Sequence, residues 1–282
     1  MKSIIVSSRF RTGSTLLFQL LSQDQRYHCY NEVLHPHIPI WMEADIEKHR
    51  EMNQILAHDN VRYFSEYENL DRQIFSELHS IDFTINDLVM TSESHSEQLE
   101  RYLRYLLYDS TDKPVILNCN RVDYRLSWIK KKFPDVIIIN LRRHITGIVN
   151  SYGKVLKRAG LDSFKHLFET HLYLENIQKW SHINLEDLNE QEVLYFLKLL
   201  SDEIADEYAD YTFAFEDICQ HPNLFKEEIR SKINVNISEL SQVRPMNDRL
   251  PFIKYIRMDF VSSLVEQVLS AYKRDQDLGE NK

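Results

Sequence analysis

Cysteine is scarce in this chain of 282 residues: three occur, Cys29, Cys119 and Cys219, far apart in sequence. They form neither a disulfide framework nor a metal-ligand spacing, and they suggest a reducing compartment. No run approaches the roughly 20 apolar residues needed to span a bilayer. An apolar run begins almost at Met1 and leaves no room for a secretory signal, so a cytoplasmic location is expected. Positive charge is also in deficit. Lys and Arg number 34 against 43 Asp and Glu, a formal net charge of −9, which argues against nucleic acid or an anionic membrane as a partner. Any anion site must therefore be a local cationic pocket. Only five glycines are present, and the first loop holds one of them, Gly13. A triphosphate-binding loop needs two glycines separated by four residues, then Lys and Ser or Thr, so an ordinary nucleoside triphosphatase is disfavoured.

What is present begins with Ile4-Ile5-Val6, reads on through Ser7-Ser8-Arg9-Phe10-Arg11-Thr12-Gly13-Ser14-Thr15, and continues into Leu16-Leu17-Phe18-Gln19-Leu20-Leu21. The apolar run predicts a buried parallel strand, and the leucines mark one face of a helix. A helix start carries N–H groups without intrahelical partners at the positive end of the dipole, which suits an anion such as phosphate. Arg11 adds a full charge, and Gly13 permits close approach of the backbone. A plain strand-turn-helix capped by Ser14 or Thr12 would have the same outline.

The rest of the chain alternates in the same way. Val115-Ile116-Leu117 reads as a buried strand ending at Asn118-Cys119-Asn120-Arg121. Val136-Ile137-Ile138-Ile139-Asn140-Leu141 reads as another, and Arg142 and Arg143 follow it directly. Apolar spacing predicts helices from Ser96 to Tyr108, over the stripe Ile148, Val149, Tyr152, Val155, Leu156 and Ala159, from Leu167 to Trp180 and from Val193 to Tyr208, and a last one facing inward through Val261, Leu264, Val265, Val268, Leu269 and Tyr272. Tyr211 to Phe215 is a further strand. The fold class is α/β: one domain over 1–282, with a central, mostly parallel sheet flanked by helices. Residues 41–94 are polar and weakly periodic, with short helices expected over Ile46 to Leu56 and Leu70 to Leu78. They read as a variable insertion on the acceptor side, where Tyr63, Phe64, Tyr67, Phe75 and Phe83 could stack on a sugar or phenol or simply pack. The tail beyond Arg274, residues 275–282, is expected to fray.

Between the first helix and this insertion, Tyr27 to His37 gathers titratable groups near the carboxyl ends of the strands. Glu32, His28, His35 and His37 are each chemically able to accept a proton from a hydroxyl.

Arg11-Thr12-Gly13-Ser14-Thr15 between strand and leucine-rich helix resembles the 5′-phosphosulfate loop of sulfotransferases that use 3′-phosphoadenosine 5′-phosphosulfate (PAPS). Arg143-His144-Ile145-Thr146-Gly147-Ile148-Val149-Asn150-Ser151 resembles their 3′-phosphate segment, in which an arginine at a strand end and a serine eight positions on bind one phosphate. The resemblance departs at His144, usually Asp or Asn, and at Ile145, usually proline. It implies the P-loop-like sulfotransferase fold and transfer of a sulfuryl group from PAPS, the donor co-substrate, to an acceptor hydroxyl without a metal. In bacterial carbohydrate enzymes of the family a glutamate after the first helix is the base. That implies Glu32 as base, with His35 next, and a carbohydrate or glycolipid as acceptor. By the same resemblance Arg11 and the backbone from Thr12 to Thr15 would face the phosphosulfate, Arg143 and Ser151 the 3′-phosphate, and Arg121 the phosphosulfate from the next strand. Arg244 or Arg249 would cover the nucleotide. The competing readings are an atypical kinase using ATP and Mg²⁺, and a nucleotide-binding protein without catalysis.

Overall fold

The computed structural model describes residues 1–39, 65–160, 163, 170–241, 243 and 256–280. Five strands form one sheet: β1 Ile4–Ser8, β2 His28–Tyr30, β3 Val115–Cys119, β4 Ile137–Arg142 and β5 Tyr211–Ala214. Their order is β2-β3-β1-β4-β5, and every pairing is parallel. β1 is central, with Ile5 opposite Leu117 on one side and Ile138 on the other. Each residue of β1 and β3 is buried, as a continuous apolar run covered on both faces requires.

Alternation along β1 divides the core. Ile4 and Val6 pack with Leu17, Leu20 and Leu21 of the Ser14–Leu21 helix and with Phe225 and Ile229 of the Pro222–Ile233 helix. Ile5 faces the opposite cluster, built by the Glu97–Arg104, Leu126–Lys132, Ile145–Ala159, Glu190–Tyr208 and Met258–Glu280 helices. Because the chain leaves β1 toward β2 and β3 on one side and later adds β4 on the other, loops at the carboxyl ends of β1, β3 and β4 come together. Open α/β sheets bind ligands at such a point.

Several boundaries differ from the periodicity. The helix predicted from Ser96 to Tyr108 is α-helical over Glu97–Arg104 and ends in a π-helical turn, Tyr105–Asp109. The Glu190–Tyr208 helix starts before Val193 because Asn189 and Glu192 form a reciprocal capping box. The strand expected over Tyr211 to Phe215 stops at Ala214, and its turn is itself a helix, Phe215–Gln220. The last helix runs to Glu280, past the point of expected fraying. Along it, Asp275 accepts from Thr91 Oγ1 at 2.5 Å, and Gln276 from the Tyr208 hydroxyl at 2.8 Å. Among the described residues no helix is long and apolar enough to cross a membrane. The helix expected over Ile46 to Leu56, and residues Tyr63, Phe64, Arg244 and Arg249, lie outside the described residues.

Candidate active site

The loop after β1 is shaped by two left-handed residues, Arg11 (φ 67°) and Gly13 (φ 102°). A non-glycine residue held there costs about 1–3 kcal/mol and persists only where its surroundings fix it. Thr12 supplies part of that restraint, its hydroxyl donating to the Arg9 carbonyl at 2.6 Å. Gly13, not Ser14 or Thr12, caps the following helix, and no side chain bonds the first turn. A helix start capped in this way turns its first N–H groups outward without a capping side chain, which suits an anion. A Cβ at Gly13 would run into the ring of Phe215, so the loop also needs glycine for close packing.

Arg11 Nε donates to Ser151 Oγ at 2.9 Å, and Arg143 Nη1 donates to the Arg11 carbonyl at 3.1 Å. The two segments read separately in the sequence thus meet. The Arg143 guanidinium lies 4.4 Å from the Phe215 ring centroid and against Gly147, where a Cβ would come within 3.2 Å of its Cζ. Glu216 fixes the same corner by accepting the His144 N–H at 3.0 Å. His144, in place of the more usual Asp or Asn, serves as the cap of its helix, with Nδ1 accepting from the Thr146 N–H. Arg11 and Arg143 thus bring two guanidinium groups to one loop, and positive charge gathered there favours an anion. Thr15 and Ser14 open the helix behind them, Ser14 being buried.

Glu32 stands on the next loop, also left-handed at φ 47°. Its Oε1 accepts from Asn120 Nδ2 at 3.0 Å, and Asn120 Oδ1 accepts from the Ser8 hydroxyl at 2.8 Å. A chain of hydrogen bonds therefore runs from the end of β1 to this carboxylate. Ser8 and Asn120 had no assigned role in the sequence; the available signal was their position at the ends of two adjacent buried strands.

His35 sits one turn beyond Glu32, its N–H donating to the Glu32 carbonyl at 2.7 Å. Burial, reinforced by the charge of Arg121 and by His37 and His79, pushes its imidazole well below the ordinary histidine range. The ring is therefore neutral at pH 7 and a poor proton acceptor. His28 is likewise lowered by burial at the start of β2. His37 is exposed, and its N–H donates to His35 Nδ1 at 3.1 Å.

Arg121 is buried, its guanidinium 5.0 Å from the Phe10 ring centroid. Arg9 lies beneath the loop, paired with Asp123 at 3.1 Å and set 3.9 Å over the Tyr173 ring. Of the rings that could have stacked on an acceptor, Tyr67, Phe75 and Phe83 are all buried in the core. Among the described residues no group of His, Cys, Asp and Glu could hold a metal ion.

Residues 3–234 match the family model described as Sulfotransferase family. No curated protein matches the sequence. Among solved structures, the chain is similar to the sulfotransferase domain from the curacin biosynthetic pathway: 14% identity, TM-score 0.45, covering 89% of this chain and 80% of that one. It is similar also to a sulfotransferase from Mycobacterium tuberculosis, at 15% identity and TM-score 0.47, covering 95% and 76%. A third is the sulfotransferase domain of the Synechococcus olefin synthase, at 13% identity and TM-score 0.43, covering 98% and 96%.

Proposed function

Since the chain belongs to the sulfotransferase family, we propose that it moves a sulfuryl group from PAPS to an acceptor hydroxyl. The observation that carries this reading is the junction of Arg11, Ser151 and Arg143, which brings together the two segments assigned to anion binding. In this reading the acceptor oxygen attacks sulfur as the bond from sulfur to the 5′-phosphate oxygen breaks, and adenosine 3′,5′-bisphosphate leaves. Glu32 takes the hydroxyl proton, held toward the site by Asn120. Arg11 and the N–H groups from Gly13 to Thr15 take up the charge that develops on the leaving phosphate, so catalysis is mostly positioning and electrostatics; the Thr12 N–H, expected to join them, donates instead to the Arg9 carbonyl at 3.2 Å. Arg143 and Ser151 hold the 3′-phosphate and distinguish this donor from ATP.

Arg121 supports the phosphosulfate side from the end of β3, and Arg249 is assigned to cover the nucleotide. His35 is the weaker candidate base because burial keeps it neutral at low basicity. The acceptor we assign is a carbohydrate or glycolipid hydroxyl, approached through residues 41–94, in a cytoplasmic enzyme. Burial of Tyr67, Phe75 and Phe83 takes those three rings out of its contact surface.

Transfer of labelled sulfate from PAPS to a panel of glycosides, glycolipids and phenols tests the reading. Glu32→Gln should lower kcat by about 100-fold or more while leaving the affinity for adenosine 3′,5′-bisphosphate unchanged. Full activity of Glu32→Gln would remove the base assignment. Absence of transfer by the wild type to every acceptor would favour a nucleotide-binding protein without catalysis.

A further inference from the structure

We propose that Tyr67 and Tyr102, with Glu66, are positioning residues that fix the direction of the Glu32 carboxylate, an inference that rests on Glu32 being the base. Glu32 occupies a left-handed conformation that a glutamate does not adopt unaided. The peptide groups around it are therefore the place to look for what holds it. The Asn31 carbonyl, in the peptide just before Glu32, accepts the Tyr67 hydroxyl at 2.8 Å. The Asn31 N–H donates to Glu66 Oε1 at 2.9 Å. On the far side the Val33 N–H donates to the Asn118 carbonyl at 3.2 Å, and the Val33 carbonyl accepts the Tyr102 hydroxyl at 2.7 Å. Rotation about φ of Glu32 would break the Tyr67 bond, and rotation about ψ would break the Asn118 bond.

Both tyrosines are fully buried, in one aromatic cluster in which the ring of Phe75 lies 5.8 Å from Tyr67 and 5.7 Å from Tyr102. A phenylalanine would fill either position as well. The Tyr67 hydroxyl is instead directed at the carbonyl just before the strained residue and the Tyr102 hydroxyl at the carbonyl of the residue after it, so the hydroxyls serve the turn and the rings serve the core.

The experiment separates these parts by combining Tyr67→Phe and Tyr102→Phe with Glu32→Ala and Glu32→Gly. With both tyrosines present, residue 32 is held left-handed, and glycine there should melt about 2–4 °C above alanine. In the double Phe variant the turn can relax further, and that difference should shrink, the Asn118 and Glu66 bonds remaining. A difference of the same size in both backgrounds would overturn the proposal. In transfer assays the double Phe variant should lose about tenfold or more in kcat with unchanged affinity for adenosine 3′,5′-bisphosphate. Glu66→Gln, which keeps an acceptor for the Asn31 N–H, should retain the activity that Glu66→Leu loses. If Glu32→Gln is inactive while the Phe variants transfer sulfate at the wild-type rate, this inference fails and the base assignment stands. If Glu32→Gln is fully active, the base assignment fails, and the melting comparison alone decides whether the turn is held.

Discussion

Arg11 and Ser151 stand 140 positions apart in the chain, and the Nε of the first donates to the Oγ of the second at 2.9 Å. A serine hydroxyl accepts and donates at once, so Ser151 can hold Arg11 and still offer its own proton to a phosphate. Ser151→Ala should therefore weaken adenosine 3′,5′-bisphosphate by about 1.5–3 kcal/mol. It should also weaken adenosine 5′-phosphosulfate, which carries no 3′-phosphate. Titration calorimetry with the two nucleotides measures both, and an unchanged affinity for the phosphosulfate would mean that Arg11 is oriented without Ser151.

Gly13 combines a positive φ with the Phe215 ring at the place a Cβ would occupy. Gly13→Ala is expected to lower stability by about 1–3 kcal/mol and to weaken nucleotide binding with it. Phe215→Leu added to Gly13→Ala should recover part of the stability by making room, but not all of it, because the backbone conformation remains unfavourable. Complete recovery in thermal melts would assign the whole requirement for glycine to packing.

The Glu66 carboxyl is pushed up to about 7, chiefly by burial and further by the nearby Glu32 and Glu68, against hydrogen bonds from backbone N–H groups that include Asn31. Its folded value lies above the ordinary 4.5, so between these values the folded chain keeps a proton that the unfolded chain has released. The contribution of this group to stability is therefore fully present below about 4.5 and falls as pH rises toward about 7. Glu66→Gln should flatten that part of the curve of melting temperature against pH. Identical curves for variant and wild type would show that Glu66 titrates as an ordinary exposed carboxylate.

How far the fold could be read depended on whether a residue's neighbours were local. Ile4-Ile5-Val6, Val115-Ile116-Leu117 and the run to Leu141 are continuous apolar stretches, and such runs become buried parallel strands almost regardless of context. The helical stripe from Ile148 to Ala159 was visible for the same reason. The direct bond between Arg11 and Ser151 was not, because periodicity places elements without saying which side chains meet at a sheet edge. Tyr67 reads as a stacking or packing ring and Tyr102 as packing, since the partners of their hydroxyls lie 36 and 69 positions away. Arg9 reads as one more loop cation, yet it is buried against Asp123, a partner 114 positions on. The bonds from Thr91 to Asp275 and from Tyr208 to Gln276 on the last helix join residues likewise remote in sequence.

The central claim is that one site joins both ends of a nucleotide bearing phosphates at its 3′ and 5′ positions. Thermal stabilisation by adenosine 3′,5′-bisphosphate, set beside ATP with Mg²⁺, tests it most directly. A ligand present at 100 times its dissociation constant adds about 2.7 kcal/mol, a shift that a melting curve resolves. The bisphosphate should produce that shift, Arg143→Ala should lose it, and ATP with Mg²⁺ should change the melting temperature little. A shift with ATP and Mg²⁺ and none with the bisphosphate would contradict that claim.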